Sequence, residues 1–338
     1  MAATIHDVAR LAGCSIKSVS RVINNEPYVT EELRARVQNA IRVSGYAPNI
    51  SARRLATQKS FMVCILMYPG FYQPASAILT RVMDITIEED YDILIRPYFP
   101  GNRVSRNRLN DMIAERRIDG FVSTPPCDAD GFIADLLSTY KVPLVQINPI
   151  NPAESIPSVS GNDYQGAYAT TEHLISIGHQ RIAFLMGPRN MRSSFDRLYG
   201  YRAALDAHQL IQDPALVENS EFTFDGGYTA TRLLMERAEK PTAIFAGNDE
   251  AAYGAIYALQ ELRVPVPERI SVCGYDDLAL SKNIWPGLTT VHQPAEEMVE
   301  LAARMLIRIL KKEPLDDLHQ VVASRLIQRG STAPAPHQ

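Results

Sequence analysis

From Phe61 onward, short apolar runs alternate with stretches of helical periodicity, and this alternation restricts the fold more than any other feature of the chain. Residues 62–67, 93–95, 120–122 and 144–147 read as buried strands, and 181–186, 243–246 and 270–273 form a second set. Strands separated by amphipathic helices pair in parallel through helical crossovers. About seven of them in two clusters predict two α/β lobes. At 338 residues the chain is too long for one compact unit and suits two or three.

Open parallel sheets bind ligands beyond the carboxyl ends of their strands. That rule selects Tyr72 and Gln73, Ser123 and Thr124, Asn148, Asn248 and Asp249, and Asp276 and Asp277. Carboxylates and amides of this kind suit a polar, hydroxyl-rich ligand. For Asn248, Asp249 and Asp277, capping of the next helix is an equally good reading. Asp276 reads as a ligand group.

The first sixty residues differ in kind. They hold nine Lys and Arg against four acids, a net of +5, whereas the whole chain is −4 and the remainder therefore −9. A small basic head on an acidic body is the layout expected when the head alone meets a polyanion, although a solvated charged face has the same composition. Three short helices can be placed by caps and spacing. Thr4 with Asp7 starts the first, whose apolar stripe is read as Val8, Leu11 and Ala12 before Gly13 stops it. Ser15 caps the second, carrying Val19, Val22 and Ile23 on one face. Thr30 caps the third, with Leu33, Val37, Ala40 and Ile41 recurring until Ser44 and Gly45. The first two have the dimensions of a helix-turn-helix, whose second helix enters the major groove. Ile16, Lys17, Ser20 and Arg21 would then face DNA. Lys17 and Arg21 can donate to guanine O6/N7 or to phosphate, and Ile16 can touch a thymine methyl.

The run from Thr4 to Ser15, then Val19 to Asn24, then Gly45 to Asn49, resembles the head of the LacI/GalR repressor family almost position for position. The resemblance continues over nearly all of 61–330, through 173–183, 197–201, 247–249, 274–277 and 288–293. It implies an all-α three-helix DNA-binding head over 1–48, a hinge helix or linker over 49–60, and an effector core over 61–338. That core would be an α/β two-lobe, periplasmic-binding-protein-like (type I) unit with parallel sheets. Its first lobe would span about 61–160 and 292–322, its second about 161–291 and 323–332. In the hinge, which without DNA reads as a basic linker because so short a helix is marginal in water, the family pattern makes Leu55 a minor-groove wedge, packs Ala52 on its mate and lays Arg53 and Arg54 along phosphates. Thr4, Ser15, Asn24 and Asn49 complete the set expected against DNA. In the core the resemblance implies that Arg197 and Asp276 clamp ligand hydroxyls, Asn148 and Asn248 support them, and Phe222 stacks. Arg197 reads alternatively as a structural ion-pair partner. The chain departs from the family at 68–74, at Gly161 and at Asn148, all on the first-lobe side.

Cys14, Cys64, Cys127 and Cys273 are widely spaced and read as buried free thiols, and His173 and His179 read as structural. No metal, cofactor or catalytic constellation is expected. The N-terminus lacks a signal-peptide pattern and no apolar run reaches the ~20 residues of a membrane span, so the expectation is a cytoplasmic, nucleoid-associated protein. The C-terminus carries no leucine heptads, so a homodimer is expected rather than a coiled-coil tetramer. The whole reads as a repressor that binds a palindromic operator in double-stranded DNA and answers to a small polar effector, a sugar. The rival readings are a nucleobase corepressor in the same cleft and, from another class, a solute-binding transport component.

Overall fold

A computed structural model describes residues 3–23, 28–46, 59–69 and 75–336. They fall into two compact units, 1–60 and 61–338.

The first unit holds α1 (Ile5–Ala12), α2 (Ile16–Ile23) and α3 (Glu31–Ser44). The Asp7 carboxylate accepts from the Thr4 N–H at 3.0 Å and from its hydroxyl at 2.8 Å, which fixes the start of α1. Those two donors hold the Asp7 pKa below the usual carboxylate range. Gly13, at φ +61°, ends α1 in a left-handed turn open to few other residues. Ser15 accepts the Ser18 N–H at 3.1 Å, and Thr30 accepts that of Leu33 at 3.3 Å. Val8, Ala12, Val19, Val22, Val37 and Ala40 are buried together between the three helices. Leu11 does not join them and is 55% exposed. The buried stripe of α1 is Ile5, Val8, Ala9 and Ala12, and at ~100° per residue Leu11 is turned about 110° from its centre.

The second unit contains two parallel sheets. β1 (Met62–Met67), β2 (Asp92–Pro97), β3 (Gly120–Ser123), β4 (Leu144–Ile147), β5 (Ser158–Gly161) and β11 (His319–Val322) form the first, in the order β11-β5-β4-β3-β1-β2. Alternation along the strands feeds both faces. Val63, Ile65, Val122 and Val145 pack against α4 (Ala75–Glu88) and α11 (Ala295–Lys311), while Cys64, Leu66 and Phe121 pack against α5 (Arg103–Ala114) and α6 (Phe132–Tyr140). Each such fully buried aliphatic side chain contributes roughly 1.5–3 kcal/mol.

β6 (Ile182–Met186), β7 (Val217–Asn219), β8 (Ala243–Ala246) and β9 (Ser271–Cys273) make the second sheet, ordered β7-β6-β8-β9. One face meets α7 (Asp163–Ser176) and α8 (Arg192–Ala207), the other α9 (Phe224–Met235) and α10 (Asp249–Glu261). The chain passes between the lobes three times: after β5, between β10 (Thr290–His292) and α11, and between β11 and β12 (Arg325–Ile327). β10 and β12 pair antiparallel beside β9.

The tail returns to the second lobe. The Ala333 N–H donates to Ser271 Oγ at 3.0 Å and that of Ala335 to the Ile177 carbonyl at 2.9 Å. His179 sits beneath this strap, with Nδ1 2.9 Å from Thr242 Oγ1 and Nε2 3.0 Å from Ser271 Oγ, and burial lowers its pKa. His173 Nε2 lies 3.2 Å from Thr332 Oγ1. Both histidines are structural, and among the described residues no cluster has the makings of a metal site. Cys64, Cys127 and Cys273 are buried free thiols, but Cys14, in the turn between α1 and α2, is only half-buried. No helix among the described residues is long and apolar enough to cross a membrane.

Candidate functional site

In the head, burial of Val19 and Val22 turns the opposite side of α2 outward. Ile16 (41% accessible), Lys17 and Arg21 are exposed there, with Ser20 half-buried beside them. An exposed isoleucine between basic residues has no partner role in the head's own core and is suited to a groove. Thr4 and Ser15 are also exposed, but their hydroxyls are engaged in the helix starts, Ser15 Oγ lying 2.9 Å from Ser18 Oγ. Asn24, Asn49, Ala52, Arg53 and Leu55 lie outside the described residues, as do Tyr72 and Gln73.

In the second unit a cleft of about 630 Å³ opens between the two sheets, within the ~300–1,000 Å³ usual for small-molecule sites. Parallel pairing points the carboxyl ends of both sheets at it. Thr124 follows β3, Asn148 follows β4, Asn190 follows β6, Phe222 follows β7, Asn248 follows β8 and Asp276 follows β9, and all six line the cleft. Asn148, Phe222 and Asp276 hold left-handed backbone at φ +44°, +56° and +117°. Such conformations in side-chain-bearing residues cost about 1–3 kcal/mol each and gather where geometry is imposed for function.

Arg197, on α8 and 3% accessible, is the charged centre. Its Nε donates to Asp163 Oδ1 at 2.8 Å, Nη1 donates to the Gly247 carbonyl, and Nη2 lies 3.5 Å from Asp276 Oδ1. The guanidinium stands 3.6 Å over the Tyr275 ring and 5.4 Å from that of Phe222. Burial opposes its charge, and Asp163 and Asp276 outweigh that burial, so its pKa lies above the ordinary value. The ion-pair and cleft-lining readings of Arg197 are thus both present in one side chain. Asn248 is likewise doubly used: Oδ1 accepts the Ala251 N–H at 2.9 Å, capping α10, and Nδ2 donates to the Phe222 carbonyl at 2.9 Å. Asn148 Oδ1 accepts the Gly161 N–H at 2.8 Å.

Some candidates fall outside the cleft. Ser123 does not line it: the residue is buried on β3, and Thr124, one step further along the pleat, is the one that does. Asp249 points into the lobe, accepting from Ser281 and Thr290 at 2.5 Å and from the Leu278 N–H at 2.8 Å. Burial raises its pKa to about 6. Asp277 pairs with Arg329 and His292. Conversely, Asn190, Glu221, Glu250 and Gln293 line the cleft without having been singled out, and Asp163 anchors Arg197 from behind. The strand-end rule applied to β6 and β7 would have reached Asn190 and Glu221. Asp163 has no such signal, because its partner lies 34 residues away.

Residues 4–49 match the pattern of bacterial regulatory proteins of the lacI family, and residues 171–332 match a periplasmic binding protein-like domain. The chain is 32% identical over 331 residues to the ribose operon repressor of Escherichia coli (strain K12), covering 97% of this chain and 99% of that protein. It belongs to the LacI family. Among other LacI-family proteins, catabolite control protein A of Priestia megaterium is 33% identical over 335 residues, 98% of this chain and 100% of that protein. The lac repressor dimer bound to operator and the anti-inducer ONPF superposes with a TM-score of 0.80 at 26% identity, over 98% of this chain and 100% of that one. A CelR–cellobiose complex superposes at 0.74 with 30% identity, over 97% and 99%. The LacI-family assignment makes the chain a DNA-binding transcription regulator whose head and two-lobe core are the family's two parts.

Proposed function

We propose that this regulator is a repressor that grips a palindromic operator as a homodimer and changes its grip when a sugar enters the cleft. The convergence of Arg197, Asp276 and Phe222 at the strand ends carries this reading. Carboxylate and guanidinium groups can exchange hydrogen bonds with vicinal hydroxyls while an aromatic ring covers the apolar face of a sugar. The relatives' effectors point the same way, since CelR is seen with cellobiose and a LacI-family regulator of Enterococcus faecium with ribose.

Three chain crossings join the lobes, so closure on a ligand is a hinge motion. A ligand that binds the closed form better shifts the population toward it, by no more than the difference in its affinities for the two forms. Residues 49–60 connect the core to the head and would transmit the change. One head makes few base contacts, whereas two heads about one helical turn apart read a palindrome. Lys17 and Arg21 would meet guanine edges or phosphates and Ile16 a thymine methyl.

A thermal-shift screen of mono- and disaccharides, sugar phosphates and purines tests the effector class. A sugar should raise the Tm of the native chain but not of Asp276→Ala. A rise with purines alone would assign the cleft to a nucleobase instead.

A further inference from the structure

The two walls of the cleft differ in chemistry. On the first-lobe side the described lining is largely apolar, with Ile65, Met67, Tyr68, Ile147, Met298 and Val299. The second-lobe side presents the carboxylates of Glu221, Asp225, Glu250 and Asp276 against the one guanidinium of Arg197. That guanidinium is already shared between Asp163 and Asp276. Residues 70–80 contain no Asp, Glu, Lys or Arg, so they leave the balance unchanged.

Helix starts at a cleft ordinarily attract anions. Here the first turns of α9 and α10 carry Asp225, and Asp249 with Glu250, so their positive ends face carboxylates of their own. The start of α8 is the opposing feature: Met191 gives no side-chain cap and Ser193 lines the cleft, although Arg192 is held by Asp196 at 3.0 Å.

Size adds a second constraint. The twelve heavy atoms of a hexose fill less than ~360 Å³ even at liquid water's ~30 Å³ per heavy atom. A cleft of about 630 Å³ has room beyond that for another group, and the wall it would meet is apolar.

We propose that the effector is an uncharged sugar joined to an apolar group, an aryl or alkyl glycoside, and not a sugar phosphate or sugar acid. This rests on reading the cleft as a sugar site. An anionic group would enter a field already dominated by carboxylates, whereas an apolar aglycone removes both its own surface and that of the half-buried Met67 and Tyr68 from water.

Calorimetric titration of the full chain tests this with named probes: glucose, galactose and ribose, their methyl and 4-nitrophenyl glycosides, glucose 6-phosphate, ribose 5-phosphate and glucuronate. The 4-nitrophenyl glycoside of the preferred sugar should bind at least tenfold more tightly than the methyl glycoside. The phosphate or acid should bind at least tenfold more weakly than its parent sugar. Met67→Ser should shrink the first ratio, and the triple variant Glu221→Gln, Asp225→Asn, Glu250→Gln should shrink the second. Tighter binding of an anionic sugar, or equal binding of methyl and nitrophenyl glycosides, would overturn the inference while leaving a sugar site standing. Silence from every sugar would instead count against the sugar reading itself.

Discussion

The Phe222 ring occupies the space that a side chain at position 187 would need: a Cβ on Gly187 would lie 2.1 Å from the ring tip. A Cβ on Gly247 would lie 2.7 Å from the same ring, and the Asn248 amide holds the Phe222 carbonyl. Two glycines and a capping asparagine therefore set where the aromatic surface stands. Gly187→Ala should push the ring into the cleft, weakening effector binding at least tenfold while costing only about 1–3 kcal/mol of stability by overpacking. Ligand calorimetry and urea unfolding of the same variant check the two halves.

Arg197 should be costly to remove. Arg197→Met leaves Asp163 and Asp276 buried without their cation, and breaking a buried pair from one side costs about 3–5 kcal/mol. The double variant Arg197→Met, Asp163→Asn should recover part of that loss. Additive losses in a double-mutant cycle would show the two residues to be uncoupled.

Asp249 gives the second lobe a pH signature. Its folded pKa, raised to about 6 by burial, exceeds the unfolded value near 3.8, so the folded state holds the proton over that window. Stability from this group is complete below pH ~3.8 and is lost as pH rises through 6, up to about 3 kcal/mol. Asp249→Asn should flatten the slope between pH 4 and 6 in urea unfolding. An unchanged slope would assign it to other groups.

On the head, Ile16→Ala and Lys17→Ala remove exposed atoms and should leave its melting unchanged within about 0.5 kcal/mol. Operator affinity should fall by about 1–3 kcal/mol for each if the residue touches a base. Lys17→Ala should in addition lower the salt dependence of binding if its contact is a phosphate.

What could be read from the sequence followed from what each segment buries. β1, β6 and β8 are covered on both faces and show as continuous apolar runs. β5, β7 and β11 do not stand out because Ser158, Ser160 and Gly161, then Glu218 and Asn219, then His319 and Gln320 interrupt their apolar pattern, and β11 is an edge strand largely open to solvent. Leu11 was misplaced because one apolar residue adjoins a true stripe. At the cleft, Asp276, Arg197, Phe222 and Asn248 were legible from strand ends and family pattern. Asp163 was not, since only the packing of α7 on α8 brings it to Arg197. Of Ser123 and Thr124, both selected at the end of β3, only Thr124 lines the cleft, because Ser123 is still in the strand and the pleat turns it away.

The most direct test of a cleft-controlled repressor is selection of duplex DNA from a randomised pool by the full chain. It is followed by anisotropy titration of the selected duplex with native protein and Asp276→Ala, each with and without the strongest sugar ligand. The account predicts a palindromic duplex bound by both proteins, with a ligand-dependent change of at least tenfold in the native protein that is lost in the variant. Enrichment of no sequence, or an affinity indifferent to every cleft ligand, would contradict it.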